Sequence, residues 1–394
     1  MSSPPSPHVP APHESAPHES APIESAPIES APVESAPVEN CCVQTYRDRA
    51  AIDRVRQQFC AMSTDASWQD APSPRLAAHR WPWMEALSSG LGHVPFWLEA
   101  VTDDGPVGGL PLMLVRGPLF GKFLVSLPYL NTGGLWCRDK TAGNLLVDAA
   151  CRLADELDVK HLELRHEIPF AHDRFNFERT DKVHMRLALP SDCEALMKSF
   201  KSKVRSQIKK SLTETFDVTF GGAELLDPFY DVFAQNMRDL GTPVFSKRLF
   251  SAILNSFQGD AELCVLHHDG IAAAGALLVH GNGTTEVPSA SCRQQFNRKN
   301  ANMRMYWHLL ERAIQRSSGT FDFGRSSEGG GTFKFKQQWG AKPDPATWQY
   351  YVRHGDPASL RPDADGKQRL VSAWKRLPVW LTKIIGPSIV RGIP

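Results

Sequence analysis

A unit written twice constrains this chain most. Phe96–Val101 reads as a strand, Asp103-Asp104-Gly105 as a hairpin turn and Val107–Val115 as the returning strand. Far downstream, Leu263–His267, Asp269-Gly270 and Ile271–His280 repeat strand, turn and strand. Each hairpin is followed by a short β run, an amphipathic helix and a strand that ends in arginine. The first helix, about 142–157, sets Leu145, Leu146, Ala149, Leu153 and Leu157 at helical spacing, and its strand is His161-Leu-Glu-Leu-Arg165. The second helix, about 301–315, carries Met305, Leu309 and Ala313, and its strand is Thr320-Phe-Asp-Phe-Gly-Arg325. Hairpin, strand, helix, strand is a mixed α/β unit, so the echo predicts two α/β copies with mixed sheets in tandem. Chance likeness of two α/β stretches is the competing explanation.

The ends of the chain read differently. Residues 11–40 are six pentapeptides, from Ala-Pro-His-Glu-Ser to Ala-Pro-Val-Glu-Asn. Proline at every fifth position blocks a continuous helix, and one apolar anchor per unit builds no solenoid. Residues 1–42 are therefore expected to be a disordered, mildly acidic tail, and they lack the basic start and apolar run of a signal peptide. Residues 374–391 are apolar, with Trp374, Trp380 and four basic side chains. They are read as a tail packed on its own domain or lying on a membrane surface. No run reaches the about 18 apolar residues of a membrane span.

Composition excludes several classes. Lys and Arg number 44 against 43 Asp and Glu, so any polyanion site is a local patch and DNA is not expected as a partner. The eight cysteines form no disulfide scaffold and no zinc spacing, which suits a cytoplasmic chain with no metal. The templates H-E-x-x-H, G-x-S-x-G, G-x-G-x-x-G and Walker A are all missing.

Four segments carry a resemblance: Ser126-Leu-Pro-Tyr-Leu-Asn-Thr-Gly-Gly134, Lys203-Val-Arg-Ser-Gln-Ile-Lys-Lys210, Arg238-Asp-Leu-Gly-Thr-Pro-Val-Phe245, and Phe321-Asp-Phe-Gly-Arg with Phe335-Lys-Gln-Gln-Trp-Gly340. With the two-copy arrangement, they resemble the FemAB family, most of all its subgroup associated with exosortase/PEP-CTERM systems. The resemblance implies two GNAT-type acyltransferase domains, expected at 43–185 and 186–355, with a tail at 356–394. It also implies N-acyl transfer of an aminoacyl or acyl group to an amine on a cell-envelope or exopolysaccharide precursor. The protein would then work in the cytoplasm, with peripheral contact at the inner membrane.

Candidate residues follow from charge and spacing. Phe200, Val204, Ile208 and Leu212 make an apolar seam on a helix whose other faces hold Lys201, Lys203, Arg205, Lys209 and Lys210. Such a run is either a solvated face or a binding site for a polyanion, with Arg205 and Lys209 on phosphate. Phe333 and Phe335 alternate with Lys334 and Lys336, which reads as a strand or turn with one cationic face. The family's Phe-Lys-x-x-aromatic-Gly motif implies that Lys336 stands near the reacting carbonyl, although Gln338 replaces the usual glycine. A fixed ammonium there would stabilise an oxyanion, with Lys334 as the weaker candidate. Arg325 and Glu328 would orient donor and acceptor, with Glu328 also a candidate base. Ser326, Trp339, Arg238, Thr242, Tyr129 and Asn131 complete the expected substrate contacts.

No tightly bound cofactor is expected. Ser291–Ala301, where a CoA pyrophosphate loop belongs, contains no glycine. The acyl donor stays open between aminoacyl-tRNA and acyl-CoA, because Arg293, Arg298, Lys299 and Arg304 remain available for phosphates. A CoA-dependent acetyltransferase and a non-catalytic assembly factor are the rival readings.

Overall fold

The computed structural model describes residues 41–62, 76–356 and 367–394. The pentapeptide repeats lie outside the described residues. Cys42, expected at the end of the tail, already pairs with Val101 at the edge of a sheet.

The first copy supplies β1 (Cys42–Tyr46), β2 (Val94–Thr102), β3 (Gly105–Gly117), β4 (Gly121–Val125), the short β5 (Trp136–Cys137), β6 (His161–His166) and β7 (Phe177–Ala188). Its helices are α1 (Arg49–Met62), α2 (Pro82–Leu91) and α3 (Lys140–Glu156). Next come α4 (Cys193–Ser199), α5 (Ser202–Leu212), β8 (Asp217–Gly221), α6 (Leu226–Leu240), α7 (Lys247–Phe257), β9 (Ala261–His268), β10 (Ile271–Gly281) and β11 (Thr284–Cys292). The chain continues through α8 (Ala301–Gln315), β12 (Thr320–Ser327), α9 (Gly331–Gln338), β13 (Lys342–Val352), α10 (Lys367–Lys375) and α11 (Val379–Val390).

The strands form one mixed sheet in the order β1-β2-β3-β4-β6-β13-β7-β12-β11-β10-β9-β8, with β5 on β3. The order reads as two mirrored runs. Antiparallel strands lead to one parallel pair in each, β4 with β6 and β11 with β12. At the centre the copies exchange a strand. β7 follows β6 in sequence but pairs with β12, while β13 follows β12 but pairs with β6. β7 and β13 then pair with each other, antiparallel. The expected boundary at 185/186 falls inside β7.

Alternation explains why both faces are covered. In β9, Leu263 and Val265 face one core, and Cys264 and Leu266 face another. β3 divides Met113 from Leu110, Leu112 and Leu114 in the same way. α3 covers one face of the first copy, started by Asp139, whose carboxylate accepts from Ala142 N at 2.8 Å. α5 and α8 cover the matching core of the second copy. The opposite layer, built from α2, α6 and α7, is shared: Trp83, Met113, Phe229, Phe250 and Leu277 belong to one cluster. α2 and α7 cross closely, since a Cβ on Gly90 would lie 2.7 Å from the Leu249 Cα.

The C-terminal segment packs on the molecule. A Cβ on Gly386 would come within 2.9 Å of Val244 N, so only glycine lets α11 approach that loop. Trp380 and Ile384 of α11 nevertheless stay 64% and 65% exposed. Among the described residues no helix is long and apolar enough to cross a membrane.

Candidate active site

β11 and β12 pair only at their first residues, Thr284 with Thr320, Thr285 with Phe321 and Glu286 with Asp322. Beyond that point they part. β11 stays with β10, and β12 stays with β7. A fork opens, and beyond Glu286 the edge of β11 that faces it has no strand partner among the described residues. β12 breaks register against β7 between Asp322 and Arg325. Gly324 takes φ +76° in that bulge, and its N–H donates to the Asp322 carboxylate at 2.7 Å.

The loop 126–134 of the first copy closes this fork in the second. The Tyr129 hydroxyl lies 2.9 Å from the Ser289 hydroxyl on β11. The indole N–H of Trp348 donates to the Asn131 carbonyl at 2.9 Å. Arg165, on β6 of the first copy, anchors the loop: its carbonyl accepts from Gly133 and Gly134, and its guanidinium donates to the Leu130 carbonyl. A cavity of about 60 Å³ remains, walled by Tyr129, Asn131, Thr132, His184, Glu286 and Gly324 among others. A larger cavity of about 450 Å³ shares Thr132, Glu286 and Asp322 with it and adds Glu167 and Arg186.

The electrostatics are uneven. Burial works against the charge of Arg186, but Glu167 at 2.5 Å and Asp322 at 2.9 Å keep it protonated. The Glu286 carboxyl has no hydrogen bond or ion pair among the described residues. Burial, reinforced by Asp322, pushes its carboxyl up to about 8. His184, 1% exposed, has no partner at Nε2, and burial holds it neutral by lowering its pKa.

The arginines that the sequence places at the ends of the two echoed strands, which in the structure run on to His166 and Ser327, converge on one indole. The guanidinium carbons of Arg165 and Arg325 stand 4.0 Å and 3.8 Å from the Trp348 ring. Contacts of this kind contribute about 0.5–2 kcal/mol each. Arg165 is neutralised by Glu163 at 2.6 Å. Arg325 has no carboxylate partner among the described residues, and burial, then Arg165 and Arg179, lower its pKa to about 10.

Lys336 reaches this site by a route that the alternating pattern does not predict. Gly331–Gln338 is helical, not a strand or turn, because Phe335 and Trp339, four apart, pack together on Tyr306 of α8. Lys336, 8% exposed, donates to the carbonyls of Gly324 and Arg325, both at 3.0 Å. Burial lowers its pKa to about 8. Its ammonium grips the bulge of β12, and Lys336 lines neither cavity.

The other expected residues scatter. Tyr129 and Asn131 line the fork. Ser326 is buried beside it, with a hydroxyl that has no partner. Trp339, expected against substrate, is instead wholly buried core beside Phe200. Lys334 and Glu328 are exposed and line neither cavity. Arg205 donates to the Phe200 carbonyl and so ties α4 to α5, while Lys209 is exposed. Neither reaches the fork cavities. Arg238 pairs with Asp239 and holds the Leu377 carbonyl, and Thr242 is exposed. Their loop supports the site indirectly: the Phe245 ring packs 5.0 Å from that of Tyr129.

Glu286, Asp322, His184, Arg186 and Glu167 escaped the sequence reading. A signal existed in part. Asp322 sits between Phe321 and Phe323, a carboxylate inside an apolar strand, whereas Glu286 lies among Thr284, Thr285 and Val287 and carries no such local mark. Nothing local says that β7 delivers His184 and Arg186 to the other copy.

Residues 198–337 match the model of a family described as an acetyltransferase (GNAT) domain. No curated protein sequence matches the chain. Among solved structures, FemX is similar at 15% identity, over 73% of this chain and 94% of FemX, with a TM-score of 0.55. A tandem GNAT protein from the clavulanic acid biosynthesis pathway is similar at 13% identity, over 80% of this chain and all (100%) of that one, with a TM-score of 0.51. L-PGS from Bacillus licheniformis is similar at 11% identity, over 84% and 98% of the two chains, with a TM-score of 0.50. At these identities the likeness is one of fold. The chain has a mixed α/β, GNAT-like acyltransferase fold of the tandem kind.

Proposed function

We propose that the protein is an N-acyltransferase of the FemAB-like kind, in the subgroup associated with exosortase/PEP-CTERM systems. It moves an aminoacyl or acyl group onto an amine of a cell-envelope or exopolysaccharide precursor. One observation carries the reading: Glu286, a half-buried carboxyl with no side-chain partner among the described residues, stands where β11 and β12 part. Once ionised, it takes a proton from the acceptor nitrogen. The nitrogen attacks the carbonyl carbon of an activated ester or thioester. The new C–N bond forms, the C–O or C–S bond breaks, and the departing oxygen or sulfur takes the second amine proton. The open edge of β11 and the uncompensated charge of Arg325 supply positive potential beside the developing oxyanion. Lys336 keeps the Gly324 bulge in shape.

An acyl-CoA donor is the second reading. The acetyltransferase match at 198–337 favours it, as do Arg293 and Arg304, whose buried Nε atoms have no partner around the start of α8. Aminoacyl-tRNA is the donor under the first reading. The exposed apolar side chains of α11, among Lys375, Arg376 and Lys383, support a peripheral position at the inner face of the membrane.

The test is direct. The full chain is incubated with acetyl-CoA or with aminoacyl-tRNA and a panel of amine acceptors (an amino sugar, free lysine and a lysine-bearing peptide), and any N-acyl product is read by mass spectrometry. Glu286→Gln should slow product formation about 10²–10⁴-fold while the protein stays folded. No product with either donor from a folded protein would overturn the catalytic reading in favour of an assembly factor.

A further inference from the structure

The larger cavity has a wall chemistry that the transfer step alone does not require. Its charged residues are Glu167, Glu286, Asp322 and Arg186, three carboxylates to one guanidinium. Arg186 is already committed to Glu167 and Asp322, and it reaches Asp344 at 3.5 Å. Glu286 is left over. The remaining polar wall is Thr132, Thr284, Thr320 and Asn282, groups that donate and accept without charge. A volume of about 450 Å³ is within the usual range for a small-molecule pocket.

A second observation comes from the other side of Glu286. His184 belongs to the wall of the fork cavity, is buried, and has an Nε2 with no partner among the described residues. A buried polar atom without a partner is unfavourable, and a polar ligand reaching it would offset that cost. The two cavities meet at Thr132, Glu286 and Asp322, so an occupant of the larger one touches the carboxyl that stands at the fork.

Resting on the acyltransfer reading above, we infer that the larger cavity is the acceptor site and takes a compact polyhydroxylated primary amine, an amino sugar, in its ammonium form. The ammonium faces Glu286 and Asp322, and the sugar hydroxyls face the threonines and Asn282. The ammonium gives its first proton to Glu286, and the freed amine is then at the mouth of the fork where the acyl carbon arrives. The amide product is uncharged, so the carboxylates that hold the substrate no longer hold the product.

Binding and transfer are measured separately on the full chain. Isothermal titration calorimetry without any donor uses glucosamine, with N-acetylglucosamine as the neutral control and glucuronate as the anionic one. Glucosamine should bind at least ten-fold more tightly than either control. Glu286→Gln should weaken it at least ten-fold. So should Thr284→Lys, which adds a cation to the wall without removing a partner of Arg186; thermal melts confirm that both variants fold. Equal binding of the neutral or anionic sugar, or no binding of glucosamine, overturns the inference. Failure of the underlying reading looks different: glucosamine binds selectively, yet no donor is consumed. Acyl transfer to some other acceptor, with no glucosamine binding, keeps that reading and sinks this one.

Discussion

Glu286 and Lys336 titrate toward each other from opposite ends of the pH scale, and burial is the main cause in both. Glu286 rises from 4.5 to about 8, so the folded protein binds the extra proton, and this group's contribution to stability is lost as pH rises through that window. Lys336 falls from 10.5 to about 8, so the unfolded chain binds the extra proton there, and stability rises with pH between about 8 and 10.5. Lys336→Met should therefore flatten the alkaline rise in Tm. It should also lower Tm near neutral pH, because two peptide carbonyls lose a donor at about 1–3 kcal/mol each. An unchanged alkaline rise in the variant would show that Lys336 is not the group responsible. For activity, kcat/KM should climb to a plateau above about 8 as Glu286 ionises, and Glu286→Gln should lose that limb. Asp322, Arg186, Arg80 and Glu167 act on the same carboxyl, with His184 in the cavity wall, so removing Arg186 should move the limb to higher pH.

At the scale of elements, α9 and α11 show how neighbours settle what local pattern leaves open. Phe333, Phe335, Lys334 and Lys336 fit a period of two, yet Trp339 and Tyr306 give Phe335 a helical setting. The helical turn then brings Lys336 under β12. In α11 the buried stripe is Thr382, Gly386 and Val390, which leaves Trp380 and Ile384 on the outer side. If that side meets an anionic membrane, Trp380→Ala with Ile384→Ala should reduce co-sedimentation with phosphatidylglycerol vesicles several-fold while leaving Tm unchanged. Equal sedimentation would remove the membrane contact. Tm should hold because both side chains lie mostly in water.

For the whole molecule, the exchange of β7 and β13 makes the two copies interdependent. A fragment ending after β7 has no β13 for β6, and a fragment starting at α4 has no β7 for β12. Each would carry an open sheet edge, and Trp83, Phe229 and Phe250 of the shared layer would lose their neighbours. Fragments 41–189 and 190–394 should therefore aggregate when made apart and reconstitute when made together. The intact chain should unfold in one calorimetric transition. Two separate transitions would mean that the exchanged strands do not couple the copies.

The sequence by itself determined the elements and their repetition. The hairpins at Gly105 and Gly270, the helix from Ala301 to Gln315 and the strand that begins at Thr320 all follow from periodicity and turn residues, which are properties of neighbours along the chain, although that strand runs past the expected end at Arg325 to Ser327. It also marked Tyr129, Asn131, Arg325 and Lys336, which meet at or beside the fork. Only the tertiary structure decided that β7 carries His184 and Arg186 across to the other copy, that the Glu286 carboxyl stands in the cavity wall with no ion-pair partner among the described residues, and that Trp339 belongs to the core. Partnering and desolvation depend on residues brought together from far along the chain, and no local spacing encodes that distance.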